Sequence, residues 1–202
     1  MPIALRPRTK PPAERRDELM NAAERLFLAR GFEGTTVEEI TTGAEVAKGT
    51  FYLHFATKGD VLEALRERFV QGLLDAVTAA VAGQPRDDWR GRLAAWARAC
   101  AIGYLDAASL HHLVFVAVPP PSREGMARNV LVDHLDDLIA AGAHGGAWTI
   151  EESGFTAVFL FNALHGVVNQ AAAGEPTGDR GSLLRALEAH VFRAVGLRPE
   201  AG

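Results

Sequence analysis

The sequence predicts an all-α fold, with a small N-terminal helical module joined to a larger helical body. Apolar residues recur at spacings of three and four along most of the 202-residue chain. No stretch shows the convincing alternation of apolar and polar residues that is typical of a half-buried strand. Glycine and proline clusters interrupt the helical pattern at the intervals expected of helix–helix connections.

The first helix is predicted over residues 13–30. Its apolar stripe consists of Leu19, Ala23, Leu26 and Phe27. Gly31 is expected to end the helix as a C-terminal capping glycine, and Phe32 is expected to fold back on the last turn.

Three helices with tight connections follow. Thr36 and Glu39 have the spacing of a capping box, which predicts a short second helix. A third helix is predicted over residues 47–54. Thr57 is the expected cap of a fourth helix that runs to about residue 82, with Asp60 at its third position.

Further helices are predicted in the rest of the chain, over residues 87–108, 111–116, 123–141, 150–173 and 180–195. They are separated by loops at residues 83–88, 141–146 and 174–179 and by the prolines 119–121. The predicted domains are a disordered basic arm (1–12), a module of short helices (13–58) and a larger helical body (59–202).

Charge is unevenly distributed. The net charge of the chain is −4, but residues 1–16 hold five basic residues and one acidic residue, a local charge of +4. The basic residues are Arg6, Arg8, Lys10, Arg15 and Arg16. This segment fits either a solvated, disordered arm or part of a nucleic-acid footprint.

Several classes of protein are disfavoured. The single cysteine, Cys100, excludes an internal disulfide, and its apolar neighbours favour a buried thiol. There is no signal peptide and no apolar run of the ~20 residues that a membrane span needs, so we expect a soluble, cytoplasmic protein without membrane partners. The histidines lack the spacing of metal ligands and there is no Gly-rich phosphate loop. We therefore expect no metal, no cofactor and no enzymatic activity.

The stretch EVAKGTFYLHFATKGDVL, residues 45–62, combines aromatic residues with cations. Two short helices with a tight turn, braced by another helix, are typical of a helix-turn-helix, in which one face packs inward and the other enters a DNA groove. Phe51 and Phe55 are predicted to face inward. The predicted DNA-binding residues are Thr36, Lys48, Gly49, Thr50, Tyr52, His54 and Lys58. Four of them also have a purely structural interpretation: Thr36 as a cap, Tyr52 as a packed ring, and His54 and Lys58 as solvated surface side chains.

The run TTVEEITTGAEVAKGTFYLHFATKGDVL, residues 35–62, resembles the DNA-binding domain of the TetR family of bacterial transcriptional repressors. The resemblance covers residues ~13–65 without a gap. It rests on Thr36, Val37, Ile40, Ala44, Val46, Lys48, Gly49, Thr50, Phe51, Tyr52, Phe55 and Lys58. Two residues depart from the pattern. Glu45 replaces a common turn glycine, at a cost of roughly 1 kcal/mol if its φ is positive, and Ala47 replaces a common serine N-cap.

The resemblance implies a homodimer of about nine helices per chain, whose two reading helices enter successive major grooves of a palindromic operator. It also implies a small-molecule effector that binds in the body, shifts the fourth helix and releases DNA, with a coupling of ~1–3 kcal/mol. The implied function is that of a ligand-responsive repressor.

The last two helices resemble the dimer interface of that family. The helix over residues 150–173 is apolar nearly all round, so both of its stripes need cover, either from a second chain or from the core of a monomer. The predicted interface is Phe161, Leu164, Val168, Ala172, Leu183, Leu187 and Val191.

A pocket for a largely apolar effector is predicted from aromatic residues and the few polar groups among them. Its predicted lining is Trp96, Cys100, Tyr104, Phe115, Phe155, Phe159, Asn162 and His165. The same residues could instead be ordinary core. Two other functions stay open: a dimeric DNA-binding regulator without an inducer, and a helical enzyme or adaptor whose DNA-reading module no longer reads.

Overall fold

The computed structural model describes residues 11–118, 129–174 and 178–198. These ranges contain nine α-helices, one π-helical segment and no strand, which confirms the all-α prediction. The helices are α1 (Pro12–Arg30), α2 (Val37–Gly43), α3 (Lys48–Tyr52), α4 (Lys58–Ala82), α5 (Trp89–Asp106), α6 (Ala108–His111), α7 (Val130–His144), α8 (Ser153–Ala172) and α9 (Arg180–Ala194). The π-helical segment, His112–Ala117, follows α6 directly.

The described residues form two compact units. The first holds the chain up to Arg68 together with the segment that begins at His112, and the second holds the remainder. The first unit therefore extends past residue 58, where the sequence analysis places the end of the helix-turn-helix domain, and it includes a segment distant in sequence.

The first unit is built around the packing of α1 on α2 and of α2 on α3. Leu19, Ile40, Phe51 and Leu65 are fully buried in its core. Gly31 ends α1 with φ of 77°, and its N–H donates to the Phe27 carbonyl at 2.9 Å. A positive φ suits glycine, so this cap is as the sequence predicts.

Local signals in this unit act as expected. The Phe32 ring packs edge-on against Phe27, with 5.2 Å between the ring centroids. The capping box of α2 is complete, because Thr36 and Glu39 each bond the backbone N–H of the other. Asp60 accepts from the backbone N–H of Thr57 at 2.9 Å, and the Thr57 hydroxyl accepts from the N–H of Asp60 at 3.2 Å.

The second unit is built around α5, which packs on α8 and α9, while α7 packs on α8. Its largest buried side chains include Trp96, Leu135 and Ile139. Trp148 closes the end of α7 by donating its indole N–H to the Ile139 carbonyl at 2.8 Å. Gly142 leaves room for this ring, because a Cβ there would lie 2.0 Å from it.

Two predicted element boundaries are wrong. The helix expected over residues 111–116 is a π-helical segment preceded by the short α6. The loop expected over residues 141–146 begins later, since α7 continues to His144. The prolines 119–121, the predicted start of a helix at residue 123 and residues 1–10 of the basic arm lie outside the described residues.

Across the described ranges no single helix is long and apolar enough to cross a membrane. Within the same ranges one pair, α5 with residues 108–117, reaches the required length and composition, but it is bent by 76°.

Candidate functional site

The short helix α3 separates apolar from polar side chains. Phe51 is 0% exposed and Phe55 is 5% exposed, and their rings lie 5.8 Å apart in the core of the first unit. Tyr52 is 55% exposed. The sequence prediction of an inward face and an outward face is confirmed for these three aromatic residues.

Lys48 and Gly49 are exposed at the start of α3, while Thr50 and His54 are half-buried. A Cβ added at Gly49 would meet no atom within 4 Å. Packing inside the protein therefore does not require a glycine here. The bare backbone at Gly49 suits close approach of another molecule, such as a DNA strand.

Thr36 uses its hydroxyl to cap α2. The hydroxyl accepts from the backbone N–H of Glu39 at 3.2 Å and donates to the Glu39 carboxylate at 3.0 Å. Hydrogen bonds from Thr36, first from its backbone and then from its side chain, lower the pKa of Glu39, and Arg30 at 2.6 Å acts in the same direction. The cap thus accounts for Thr36, although its exposure also leaves it accessible.

Lys58, which the sequence predicts to contact DNA, makes its contacts within the protein. Its ammonium donates to the carbonyls of Phe32 at 2.8 Å and Thr35 at 3.2 Å, and it lies 4.4 Å from the centroid of the Phe32 ring. Glu33 is 3.7 Å away. The side chain fastens the start of α4 to the α1–α2 connection, so its ammonium is already engaged within the protein.

The turn before α3 is strained at Glu45, the only non-glycine residue with positive φ, at 54°, in the described part of the chain. This conformation costs an L-residue about 1–2 kcal/mol. Ala47 at the N-cap of α3 makes no side-chain bond to the helix, as its lack of a polar side chain predicts. Glu45 and Ala47, the two departures from the TetR pattern, therefore have the structural cost that the sequence predicts.

Replacing Glu45 with glycine is expected to raise the free energy of unfolding by about 1 kcal/mol, because glycine adopts this φ without strain. It should also strengthen binding to any DNA by removing a carboxylate beside α3. Glu45→Gln is the matched control, since it removes the charge but keeps the strain. Urea unfolding that fails to separate Glu45→Gly from Glu45→Gln would contradict the prediction.

Part of the basic segment falls in α1. Arg15 pairs with Glu18 at 3.0 Å, and the Arg16 guanidinium lies 5.1 Å from the centroid of the Phe55 ring.

An open groove of about 480 Å³ runs beside Arg15 and the outer side of α3. Leu53, which the sequence analysis did not select, lines this groove and is 82% exposed.

A second polar feature of the first unit is a buried arginine. Arg66 of α4 is 6% exposed and donates to the carbonyls of Val114 and Val118 at the π-helical segment. It also pairs with Glu63. The two bonds to Val114 and Val118, here called the Arg66 clamp, supply donors to carbonyls within and just after the π-helical segment. No sequence pattern indicated the clamp, because its partners are backbone atoms 48 and 52 residues away.

The second unit contains a pair of histidines, the buried His111 and the half-buried His165. The Nε2 atoms of His111 and His165 are 3.0 Å apart, so one ring donates and the other accepts. Tyr104 packs edge-on against both rings, with centroids 5.1 and 5.0 Å away. Tyr104 and His165 are among the pocket residues predicted from the sequence, whereas His111 is not, because 54 residues separate the two histidines.

The predicted pocket residues divide into two groups. Trp96, Cys100 and Tyr104 are buried along one side of α5. Burial raises the pKa of Cys100 to about 12, so its thiol stays protonated at neutral pH. Burial, followed by proximity to Cys100, also raises the pKa of Tyr104. Phe115 falls in the first unit.

Three other pocket predictions are wrong for the single chain. Phe155 is 69% exposed, Phe159 is 59% exposed, and Asn162 is exposed with its amide donating to the Val158 carbonyl at 2.8 Å. A pocket inside the chain cannot be lined by residues on its surface. Together with Val158, the two phenylalanines form what is here called the outer face of α8.

The predicted dimer residues lie on the opposite side. Six of the seven are buried within the chain: Phe161, Leu164, Val168, Leu183, Leu187 and Val191. Only Ala172 is exposed. The six buried residues pack within their own unit and leave little surface for a second chain, so the prediction is corrected for them.

Acidification is expected to destabilise the protein. Burial lowers the folded-state pKa of His165 below 6.5, and burial also lowers that of His134, with Asp137 opposing and Arg92 reinforcing. Because the unfolded chain then binds more protons, the free energy of unfolding falls as pH drops through 6.5 toward the folded-state values.

Urea unfolding between pH 7.5 and 5.5 measures this dependence. His165→Gln should flatten it, whereas His190→Gln, at an exposed position of α9, should leave it unchanged. Equal pH dependence in the His165→Gln variant and the unaltered chain would refute the assignment.

Comparison with known proteins agrees with this geometry. The model of the family described as "Bacterial regulatory proteins, tetR family" matches residues 19–65, which include α2 and α3. The transcriptional regulator TcmR of Streptomyces glaucescens is 45% identical over 62 residues, 29% of this chain and 27% of that protein. The transcriptional repressor KstR2 of Mycolicibacterium smegmatis is 39% identical over 62 residues, 31% of this chain and 30% of the repressor.

Solved structures share the fold over nearly the whole chain. The fatty acid degradation regulator FadR from Bacillus halodurans has a TM-score of 0.74 at 20% identity and covers 96% of this chain and 100% of its own. A regulatory protein of the tetR family from Rhodococcus RHA1 has a TM-score of 0.69 at 21% identity, covering 91% and 98%. The sequence matches to curated relatives thus span under a third of those proteins, whereas the fold similarity extends through the body. Residues 19–65 therefore carry the DNA-binding region of the tetR family of bacterial regulatory proteins, and the chain shares its fold with a solved tetR-family regulator.

Proposed function

We propose that the protein is a sequence-specific DNA-binding transcriptional regulator that acts as a homodimer on a palindromic operator. The observation that carries the proposal is the two-sided helix α3, which buries Phe51 and exposes Lys48 and Tyr52. An isolated amphipathic helix would be unremarkable, but this one lies inside the segment shared with named regulators.

The DNA-facing residues have distinct expected roles. Lys48, at the first turn of α3, is placed to reach a base edge or a phosphate. The Tyr52 hydroxyl and Thr50 suit phosphate oxygens, which position the protein without reading sequence. His54 flanks them. Repression is the expected direction of control, because the matched relative KstR2 is named a repressor.

The homodimer is supported by the outer face of α8. Phe155, Val158 and Phe159 are exposed and adjacent on one side of that helix. Clustered exposed apolar side chains mark interaction surfaces more often than scattered ones do. A second copy of the chain would cover the face symmetrically, as a two-fold dimer on a palindrome requires.

A small-molecule effector is supported by the polar groups buried in the second unit. The indole N–H of Trp96 is buried without a hydrogen-bond partner in the described part of the chain. An unpaired buried donor is costly unless something accepts from it. Together with Tyr104 and His165, it favours a largely apolar ligand that carries a hydrogen-bond acceptor. Effector binding would act on DNA affinity through differential binding to two conformations.

An enzymatic function is not proposed, because the relatives are named for regulation and the described residues suggest no reaction. The protein would act in the cytoplasm, where bacterial DNA is found.

Selection of sheared genomic DNA by the purified protein at ~150 mM salt tests the proposal, since non-specific binding is weak there. Enrichment of one short palindrome is expected. Tyr52→Ala should then weaken binding to all fragments, and Lys48→Ala should relax specificity at one base pair by ~1–3 kcal/mol.

Arg193→Ala is the matched control, because it removes a cation from an exposed position of α9 in the second unit. It should bind like the unaltered chain. Failure to enrich any sequence, or full affinity in both α3 variants, would overturn the proposal. The affinity for the palindrome can also be measured with and without added small molecules. If none of them changes the affinity, a regulator without an inducer is favoured.

A further inference from the structure

Leu53 has an unusual position for an apolar side chain. It is 82% exposed, the highest exposure of any large apolar residue in the described ranges. A single exposed leucine is ordinary on a protein surface. This one is informative because of the helix that carries it and because of the groups that surround it.

Leu53 is the C-cap of α3 and directly follows its last residue, Tyr52. Its backbone dihedrals, φ of −77° and ψ of −20°, continue the helical conformation. Leu53 comes two residues after the buried Phe51, which corresponds to about 200° of helix rotation, so its side chain points away from Phe51. The outward side of α3 therefore ends in an exposed apolar side chain.

Gly49 precedes Leu53 by four positions and lies on the same side of α3. It adds no side chain, and nothing lies within 4 Å of where its Cβ would be. Thr50 and Tyr52 flank this strip of surface, and both carry hydroxyl groups. On the side of α3 that is proposed to enter a DNA groove, Leu53 is thus a large apolar side chain beside polar ones.

The major groove offers one common apolar group, the C5-methyl of thymine. We propose that Leu53 reads a thymine by packing on this methyl group, and that Leu53 is a specificity-determining residue of the protein. The inference rests on the proposed DNA-binding function. It adds a direct contact to a base, made by apolar packing and not by a hydrogen bond.

The test uses the palindrome selected in the genomic experiment. Each thymine is replaced in turn by deoxyuridine, which lacks only the methyl group, and binding is measured with the unaltered chain and with Leu53→Ala. At one thymine per half-site the unaltered chain should lose about fourfold in affinity, as expected for one methyl removed from apolar contact. Leu53→Ala should show no loss at that position.

Leu53→Met keeps a long apolar side chain and should retain the thymine preference. Since Leu53 is exposed, neither variant is expected to disturb the fold, which thermal unfolding would verify. Equal deoxyuridine effects in Leu53→Ala and the unaltered chain would overturn the inference, as would a selected palindrome in which no thymine responds. Absence of any selected sequence would instead refute the proposed function, and the inference with it.

Discussion

Replacing Arg66 with methionine is expected to lower the free energy of unfolding by about 3 kcal/mol. The Arg66 clamp donates to the carbonyls of Val114 and Val118, and Val114 is fully buried. A buried carbonyl that loses its donor costs about 1–3 kcal/mol. Methionine fills similar space without donating, so the change removes the hydrogen bonds and leaves most of the packing. Urea unfolding at a fixed protein concentration measures the difference.

Arg68→Met is the matched control two residues further along α4. Arg68 is half-buried and pairs with Glu24 at 2.5 Å and Asn21 at 2.8 Å. Ion pairs of such accessibility contribute about 1 kcal/mol or less. The free energy of unfolding should therefore fall clearly more in Arg66→Met than in Arg68→Met. Equal decreases in the two variants would show that the clamp contributes no more than an ordinary surface pair.

Introducing glutamates at Phe155 and Phe159 is expected to convert the proposed homodimer to a monomer. Both rings lie on the outer face of α8, and burying a phenylalanine contributes about 1.5–3 kcal/mol. With two rings per chain and with partial burial allowed for, the dimer should lose about 4 kcal/mol, roughly a thousandfold in its dissociation constant. Analytical ultracentrifugation would measure the change, and affinity for the palindrome should fall with it.

Leu28→Glu provides the control, because Leu28 is 45% exposed on α1 and distant in sequence from α8. It also exchanges an exposed apolar side chain for a carboxylate. This variant should remain a dimer, and all three substituted positions are exposed, so the fold of each chain should persist. A dimer that survives the double substitution would move the interface away from the outer face of α8.

The N-terminal part of the fold could be predicted because its signals are local. Gly31, the Thr36–Glu39 capping box and the Thr57–Asp60 cap each act within a few residues. The alternation of buried and exposed aromatic residues in α3 is also a local pattern. Such features fix the bounds of α1, α2 and α4 closely without reference to the rest of the molecule.

The two stripes of α8 could not be told apart in the same way. Both are apolar, so hydropathy predicts that each is covered but not by which neighbour. In the structure Leu164 and its stripe pack within the second unit, where α5 and α7 contact α8, and Phe159 is left on the surface. The choice depends on how distant helices pack, which one sequence does not reveal.

The candidate site was partly predictable for a similar reason. Lys48 and Tyr52 occupy the exposed positions that the motif predicts. The contacts of Lys58, the Arg66 clamp and the histidine pair join atoms 23 to 54 residues apart. Leu53 could not be predicted as a DNA contact from its residue type, because its side chain has no charge and no hydrogen-bonding group.

The contacts of Lys58 have a practical consequence for chemical labelling. The chain has three lysines, Lys10, Lys48 and Lys58, all in its first 58 residues. Because the Lys58 ammonium donates to backbone carbonyls, an amine-reactive reagent should acylate it more slowly than the exposed Lys48. A dye or biotin attached through amines would therefore fall on the DNA-binding end of the molecule. Binding assays should use a tag coupled by other chemistry, and protection of Lys48 from acylation by bound DNA would itself report occupancy.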